Sequence, residues 1–243
     1  MPGKFSKFAI FLFLFPTFCF AFRLTPMVVH FAPSGAKSTQ VLTVENTGTD
    51  KIPIQIEAFT RTTDAKGEEV RKKTEDFTIY PEQLVLLPKE KRNIRVTWAG
   101  ELNGNTEKAY RIVAAQLPIE FHEKNAKAQQ ASVNLKFLLQ YVASAYVTPQ
   151  DAVSKIRVTS VEKKSNRNLV LKIKNEGTAH QVLRVKQIKI FAGDKLLTSL
   201  EPGKSFDGVN ILAGAEHSVP VASAKDIVEG NLKAELELAE FHD

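Results

Sequence analysis

The segment Val44-Glu45-Asn46-Thr47-Gly48-Thr49 leads into a run of alternating apolar and polar residues that starts at Ile52. Asn-x-Gly is typical of a tight turn, and alternation with a period of two is typical of a β-strand that buries one face. The pattern returns in Ile173-Lys174-Asn175-Glu176-Gly177-Thr178, which leads into a run that starts at Val182. A strand, a turn and a second strand are therefore predicted twice, in two similar units.

The same alternation continues along most of the chain, and turn residues interrupt it at short intervals. Many short antiparallel strands with turns between them are typical of a β-sandwich. Leu87-Pro88-Lys89-Glu90-Lys91 resembles Leu212-Ala213-Gly214-Ala215-Glu216, and the two segments follow the two turns in the same order. The sequence predicts an all-β protein with two immunoglobulin-like β-sandwich domains in tandem, at residues 22–148 and 149–243.

The first 21 residues indicate export. Lys4 and Lys7 precede an almost wholly apolar stretch, which ends at Cys19-Phe20-Ala21 with small residues three and one places before a cut ahead of Phe22. This order is typical of a secretory signal peptide. The alternative is a membrane anchor, but the stretch is shorter than the roughly 20 residues of a spanning helix. We expect a signal peptide at residues 1–21, a periplasmic location and no membrane insertion after cleavage.

The charge of the chain gives little indication of nucleic acid or membrane as a partner. The formal charge of +6 would fall to +4 after the loss of Lys4 and Lys7, with 31 basic residues against 27 acidic ones. This excess is scattered, whereas nucleic-acid-binding domains concentrate positive charge in a patch. The single cysteine, Cys19, would leave with the signal peptide, so the domains must be stabilised by apolar cores instead of disulfides.

Motifs for catalysis are absent from the sequence. The sequence contains no G-x-S-x-G elbow and no phosphate-binding loop. Its five histidines are far apart, without the spacing of metal ligands: His30, His122, His180, His217 and His242. The sequence therefore predicts no enzyme, no cofactor and no metal site. Function is expected in a binding surface.

The segment from Ala131 to Val142 is the most informative candidate for that surface. One face of a strand here would be large and apolar, formed by Val133, Leu135, Phe137, Leu139 and Tyr141. The plain interpretation is a final strand that fills the core of its own domain. Continued to Val147, however, the strand would have about 15 residues, more than the usual 3 to 10. The length favours a strand that extends beyond its domain.

These elements, in this order, resemble the periplasmic pilus chaperones of the chaperone–usher pathway, the PapD-like superfamily. The resemblance lies in a first strand from Leu24 to Phe31, the Val-x-Asn-Thr-Gly turn, the Leu-x-Pro segment at Leu87, Ala109-Tyr110-Arg111-Ile112-Val113 before Leu117-Pro118, and the long strand that ends before Pro149. The Tyr-Arg pair is more similar to the archaic branch than to the P and type 1 pilus branch.

The resemblance implies a mechanism and partners. A pilus subunit of this kind lacks its last strand, and the chaperone supplies one, as the family does by donor-strand complementation. The donor side chains would be Leu135, Phe137 and Leu139, with Val133 beyond them and Tyr141 on the same face. The implied partners are a pilus subunit and an outer-membrane usher, and free chaperones could also associate with each other through their exposed strands.

One departure from the family pattern concerns the subunit's terminal carboxylate. The better-known branch binds it with an arginine on the first strand and a lysine near the end of the long strand. Those positions correspond here to Val28 and Ser144, which carry no charge. The archaic branch uses the arginine of its Tyr-Arg pair, which falls on Arg111. The plain alternative for Arg111 is an exposed arginine in a weak surface ion pair.

Met27, Val28 and Val29 are expected in the edge strand beside the same cleft. Two other classes of function stay open in the sequence. One is a structural component, either a pilus subunit or a two-domain surface adhesin. The other is an enzyme or a solute-binding protein, which would need a ligand pocket.

Overall fold

The computed structural model describes residues 22–64, 67–119, 138–223, 226–227 and 230–239. The predicted signal peptide lies outside these ranges, as do Val133, Leu135 and Phe137 of the predicted donor segment. Within them the chain forms eighteen β-strands, two short 3-10 helices (Ala36–Ser38 and Lys204–Phe206) and no α-helix. The prediction of an all-β protein is confirmed.

The N-terminal sandwich consists of two sheets built from ten strands. The strands are β1 (Phe22–Thr25), β2 (Val28–Phe31), β3 (Thr39–Asn46), β4 (Ile52–Thr63), β5 (Glu69–Lys73), β6 (Phe77–Tyr80), β7 (Gln83–Leu86), β8 (Lys91–Trp98), β9 (Lys108–Gln116) and β10 (Gln140–Val147). One sheet has the order β1-β3-β8-β6. The other has the order β2-β10-β9-β4-β5, and β7 also pairs with β4. All pairs are antiparallel except β2 with β10, which is parallel.

Inward-facing side chains of both sheets form one core. Alternate residues of each strand are buried, as the alternation in the sequence predicts. At one end, the Phe77 ring packs edge-on against Phe31, Trp98 and Tyr110, with centroid distances of 5.1, 5.2 and 5.0 Å. Such edge-to-face pairs are the preferred geometry of aromatic rings.

The sequence predicts one strand from Leu24 to Phe31, but the structure divides it. β1 pairs with β3 in the first sheet, and β2 pairs with β10 in the second. Pro26, which follows a cis peptide bond, and Met27 lie between the two strands. Because proline has no N–H to donate to a ladder, the chain leaves the first sheet at this point and continues in the second.

The C-terminal sandwich has its own core and eight strands. The strands are β11 (Ile156–Ser165), β12 (Asn168–Asn175), β13 (Gln181–Val182), β14 (Val185–Ala192), β15 (Lys195–Leu200), β16 (Asn210–Ile211), β17 (Glu216–Ala222) and β18 (Leu232–Leu238). They pair as β11-β12-β17, β15-β14-β18 and β13-β16. Its core includes Leu171, Ile173, Ile188 and Ile190, which are completely buried. The prediction of two sandwiches is confirmed.

The Asn46 turn closes the end of β3 with side-chain hydrogen bonds. Asn46 is completely buried. Its Nδ2 donates to the carbonyls of Asp50 at 2.7 Å and Leu87 at 3.0 Å, and its Oδ1 accepts from the Gly48 N–H at 2.8 Å. The asparagine thus links the turn at Gly48 and Asp50 to the neighbouring loop at Leu87 through backbone groups.

The Asn175 turn at the end of β12 has the same arrangement. Asn175 is also completely buried. Its Nδ2 donates to the carbonyls of Ala179 at 2.7 Å and Ile211 at 3.1 Å, and its Oδ1 accepts from the Gly177 N–H at 3.0 Å. The repeat predicted from the sequence is therefore present as a repeated hydrogen-bonded turn.

Candidate binding site

Several predicted site residues meet in one row on the outer face of the second N-terminal sheet. Ser144 on β10 lies directly opposite Val28 on β2 and Arg111 on β9, and Arg111 lies opposite Phe59 on β4. Opposed residues project from the same face of a sheet. The flanking residues Ala143 and Ala145 face the core and are completely buried. Val28 and Ser144, the two uncharged residues at the family's basic positions, thus lie in one row with Arg111.

All three nitrogen positions of the Arg111 guanidinium donate hydrogen bonds. Its NH1 group donates to the Ser144 Oγ at 2.5 Å. Its Nε donates to Glu69 Oε1 at 3.0 Å, and its NH2 group donates to Glu69 Oε2 at 2.5 Å. This two-oxygen geometry is the strong form of an arginine–carboxylate pair. Only 16% of the Arg111 side chain is exposed, so the pair is more than a weak contact on an open surface.

Glu69 is the centre of a cluster of three arginines. Besides Arg111, it accepts from the Nε of Arg61 at 2.8 Å and from the Nε of Arg71 at 2.5 Å. Burial opposes ionisation of the Glu69 carboxyl, but the hydrogen bonds from Arg111 and Arg71 and the charges of Arg111 and Arg61 outweigh it and lower its pKa to about 2. The carboxylate is therefore charged at neutral pH. The cluster carries a net charge of +2.

The three residues predicted in the edge strand have different positions. Val28 lies in β2 with its side chain 52% exposed, beside Ser144. Met27 precedes the strand, although its carbonyl accepts a hydrogen bond from the Ser144 N–H at 2.9 Å. Val29 points into the core and is only 5% exposed, because successive residues of a strand face opposite sides. The edge strand therefore contains Val28 and Val29 and begins one residue after Met27, and of the two strand residues only Val28 is exposed.

Two of the predicted donor residues, Leu139 and Tyr141, lie among the described residues. Both are half-buried and pack against the N-terminal core, and the Tyr141 ring contacts Phe22 edge-on with centroids 5.0 Å apart. They share this face with the buried residues later in β10, whereas Leu138 is exposed. β10 begins at Gln140, so the prediction of one continuous strand through Leu138 and Leu139 to Val147 is wrong at these two residues. The role of Leu139 and Tyr141 as donors remains a prediction.

Tyr146, near the end of β10, lies on the same face as Ser144 and connects the N-terminal sandwich to the C-terminal one. Its ring stacks on His180 with centroids 3.7 Å apart and an angle of 9° between the planes. Its hydroxyl accepts from Arg61 NH1 at 2.9 Å and from Asn210 Nδ2 at 2.7 Å. Because Arg61 also pairs with Glu69, a continuous set of contacts joins the Glu69 cluster to the second sandwich.

A buried carboxylate completes this joint between the sandwiches. Glu107 accepts from the His180 backbone N–H at 2.9 Å, contacts the His180 ring Nδ1 at 2.6 Å and accepts from the Thr148 hydroxyl at 2.7 Å. Burial opposes ionisation of Glu107, but these hydrogen bonds outweigh it and hold its pKa below the usual value. Since an ionised carboxylate only accepts hydrogen bonds, the His180 Nδ1 carries the proton of the shared bond.

His30 is a further member of the joint. Its ring stacks on Tyr146 and His180 at centroid distances of 5.4 and 5.9 Å. Burial, followed by the nearby His180, lowers the pKa of His30. The sequence gives no indication of this histidine pair, because His30 and His180 lie in different sandwiches. Glu69 was not predicted either, because it lies in a charge-rich segment where nothing in the sequence distinguishes it from its charged neighbours.

Across the described parts of the chain, no group of three or more His, Cys, Asp or Glu residues could hold a metal ion. The same residues include no helix with the length and apolar character needed to cross a membrane.

Residues 22–143 match the family model for the pili and flagellar-assembly chaperone, PapD N-terminal domain. This chain belongs to that family. The match extends over half of the sequence and includes Arg111, Val28 and the Asn46 turn. The resemblance seen in the sequence is confirmed, and the family is one of assembly chaperones, as expected for a binding protein. No curated protein sequence matches the chaperone.

Solved structures of fimbrial chaperones have a similar fold over nearly the whole length of this chaperone. One is the class 5 fimbriae chaperone CfaA, with a TM-score of 0.56 and 13% identity over 90% of this chain and 100% of that one. Another is the CsuC–CsuE complex of a chaperone and a tip adhesion subunit from the archaic Csu pili of Acinetobacter baumannii, with a TM-score of 0.55 and 16% identity over 89% and 97% of the two chains.

A third similar structure is the Salmonella enterica SafA pilin in complex with the SafB chaperone. Its TM-score is 0.53, with 15% identity over 83% of this chain and 84% of that one. These similarities show that the chaperone shares the two-sandwich fold of this group. They do not identify its binding partner or its binding residues.

Proposed function

We propose that this protein is a periplasmic chaperone that binds a pilus subunit, completes the subunit's sandwich with a strand of its own and delivers it to an outer-membrane usher. The bound subunit is called the client below. Membership of the chaperone family supports this role. The complexes of CsuC with CsuE and of SafB with SafA support a subunit as the class of client.

The observation that carries the proposal is the position of Arg111. The family pattern places a basic pair at the positions of Val28 and Ser144, and both residues are uncharged here. Arg111 is the next residue in the same cross-strand row, and it donates a hydrogen bond to Ser144. A guanidinium in this place can bind the two oxygens of a client's terminal carboxylate with charge-assisted hydrogen bonds.

The edge of β10 supports strand addition. Ser144 to Val147 pair with β2 on one side and with β9 on the other. Gln140 to Ala143 pair with β9 alone among the described residues, so their other side offers unpaired backbone groups to a strand of the client. Burial of each apolar donor side chain in the client would contribute roughly 1.5–3 kcal/mol.

Capture of the client from the periplasm of the native host tests the proposal. Tagged full-length protein is expected to retain a small immunoglobulin-like subunit, and Arg111→Ala and Phe137→Ser are expected to lose it while remaining folded by circular dichroism. The loss of Phe137 should weaken binding about ten- to a hundredfold, because its burial in the client is lost.

Each variant has a matched control. Arg23→Ala also removes an arginine from an ion pair with a glutamate, Glu45, but on the other sheet. Leu138→Ser makes the same kind of change as Phe137→Ser at the next residue, which is exposed. Capture by both control variants and by neither test variant would support the proposal. No client, or equal capture by all variants, would contradict it.

Loss of the client from Phe137→Ser alone would retain the donor strand and remove Arg111 from the mechanism.

The signal peptide at residues 1–21, the usher and the domain limits 22–148 and 149–243 are parts of the same proposal. Fractionation of the host cell, with the N-terminus of the exported protein sequenced, tests the first of these. An N-terminus at Phe22 is the expected result.

A further inference from the structure

The Glu69 carboxylate already has the geometry that the proposed function requires of a client's terminal carboxylate. It contacts Arg111 through both of its oxygens, at 3.0 and 2.5 Å from Nε and NH2. The third nitrogen of Arg111 is held by Ser144. A second carboxylate therefore cannot bind the Nε–NH2 edge of Arg111 while Glu69 is in place.

We propose that Glu69 is an internal substitute for the client's terminal carboxylate and that the client binds Arg111 by displacing it. This inference rests on the proposed function, and it adds a residue that controls access to the site. It also assigns the chemistry of the ligand, which is a carboxylate at the end of a β-strand.

The burial of Arg111 explains why it needs a carboxylate partner both before and after a client binds. The side chains of Arg111 and Glu69 are 16% and 25% exposed, so the ion pair is largely shielded from solvent. A guanidinium left without a partner in such a place would be costly, because a partly desolvated charge needs compensation. Glu69 supplies that compensation in the free protein, and a client carboxylate would supply it in the complex.

The position of Glu69 makes the exchange feasible. It is the first residue of β5, and its pairing with Thr63 is the last rung of the β4–β5 ladder. Because Glu69 contacts Arg111 only through its side chain, the exchange requires a change of the Glu69 rotamer and leaves this rung closed. Arg61 and Arg71 are close enough to keep contact with Glu69 when Arg111 releases it, so the exchange need not leave a lone charge.

The exchange has a consequence for selectivity. An uncharged chain end would have to remove Glu69 from Arg111 without replacing its charge. A terminal carboxylate replaces one ion pair by another, so the cost largely cancels. Glu69 would thus favour true chain ends over internal segments with the same side chains.

A different role for Glu69 makes the opposite prediction. If Glu69 only positioned Arg111, its neutralisation would leave the guanidinium less well held, and carboxylate binding would become weaker. If Glu69 competes for Arg111, its neutralisation strengthens binding. Glu69→Gln keeps the size and the hydrogen-bonding oxygen of the side chain and removes the charge.

The test uses N-acetylvaline, which has a free carboxylate, and N-acetylvalinamide, which does not. Each is titrated into the purified, nitrogen-15-labelled protein, and the Arg111 Nε–H resonance is followed by NMR. The wild type is expected to bind N-acetylvaline weakly, and Glu69→Gln about tenfold more tightly. Each tenfold change corresponds to about 1.4 kcal/mol. Arg111→Ala identifies the resonance, and neither protein is expected to respond to the amide.

Glu57→Gln is the matched control. Glu57 lies on β4 of the same sheet and pairs with Lys73 at 2.6 Å, so the substitution removes one carboxylate charge nearby without touching Arg111. It is expected to bind N-acetylvaline as the wild type does. Equal strengthening by Glu57→Gln would reduce the effect to net charge and overturn the proposal. Weaker or unchanged binding by Glu69→Gln, or no saturable shift in any protein, would also overturn it.

The two proposals can fail separately. Failure to capture a client in the host, together with tighter binding of N-acetylvaline by Glu69→Gln, contradicts the chaperone function and retains the internal competitor. Capture of a client by the wild type, together with no gain in Glu69→Gln, retains the function and removes Glu69 from it. Backbone amide spectra of each variant show that the protein is folded in these measurements.

Discussion

The Asn46 and Asn175 turns have the same local structure but different surroundings. In both, the buried amide donates to the carbonyl four residues later and accepts from the glycine two residues later. The repeat extends to Lys89 and Gly214, which both have a positive φ, of 61° and 72°. The hydrogen bonds of the Asn46 side chain all remain within the N-terminal sandwich.

The second copy has become part of the joint between the sandwiches. The Thr178 carbonyl accepts a hydrogen bond from the Glu107 N–H at 2.8 Å, and the next contact, at His180, completes the Glu107 site. Gly177 packs directly on the connecting segment that includes Val153. The two turns therefore share their internal hydrogen bonds, whereas only the outer side of the Asn175 turn contacts the other sandwich.

The largest expected effect is that of Gly177→Ala. A Cβ at this position would lie 2.3 Å from the Val153 carbonyl oxygen and 2.5 Å from the Lys155 nitrogen, and these backbone atoms cannot rotate away. We expect a loss of more than about 3 kcal/mol in the free energy of unfolding, measured by urea denaturation. Gly104→Ala, where a Cβ would meet open space, should change it by less than about 0.5 kcal/mol. Equal effects would mean that Gly177 is not held by the connecting segment.

A smaller effect is expected for the two asparagines. Asn46→Ala and Asn175→Ala each remove two hydrogen bonds to carbonyls and one from a glycine N–H at a completely buried position, which should cost about 2 to 3 kcal/mol in unfolding free energy. Similar losses in thermal or urea unfolding would support the equivalence of the turns. Asn175→Ala should also loosen the connecting segment, since Asn175 Oδ1 accepts from the Lys155 N–H. Faster hydrogen exchange at Lys155 in this variant alone would distinguish the two turns.

The smallest expected effect concerns pH and the joint. Because the folded pKa of Glu107 lies below its ordinary value, its contribution to stability is present above about pH 4.5 and is lost as the pH falls through the folded pKa. Glu107→Gln should therefore unfold more easily near neutral pH, by about 1 to 2 kcal/mol, and this difference should shrink in acid. Urea denaturation from pH 7 down to pH 3 measures it. A difference that stays constant over this range would exclude an ionised Glu107.

The amino-acid sequence predicts the fold well because the fold depends on local patterns. Alternation in strands such as β3 and β12 and the Asn-x-Gly turns follow from short stretches of the chain. Arg111 was found through the resemblance to a family, not through its spacing. Pro26 could have been recognised as a break in the first strand, since proline removes a ladder donor.

The parts of the site that were not predicted depend on distant residues. Glu69 and Arg111 are brought together by the β4–β5 hairpin, and no periodicity relates them. His30 and His180 meet only because the two sandwiches are in contact. Such contacts require the arrangement of complete domains, which the alternation of apolar residues does not specify.

The strand β10 has a mechanical consequence. It runs from the edge proposed for the client to Tyr146, which stacks on His180 of the second sandwich. Six residues of extended chain separate Gln140 from Tyr146, a length of about 20 Å. A rotation of about 5° between the two sandwiches, centred at Tyr146, would therefore move Gln140 by roughly 2 Å. Under the proposed function, the direction in which a client is presented would depend on the stiffness of this joint, to which the Tyr146–His180 stacking and the Glu107 hydrogen bonds both contribute.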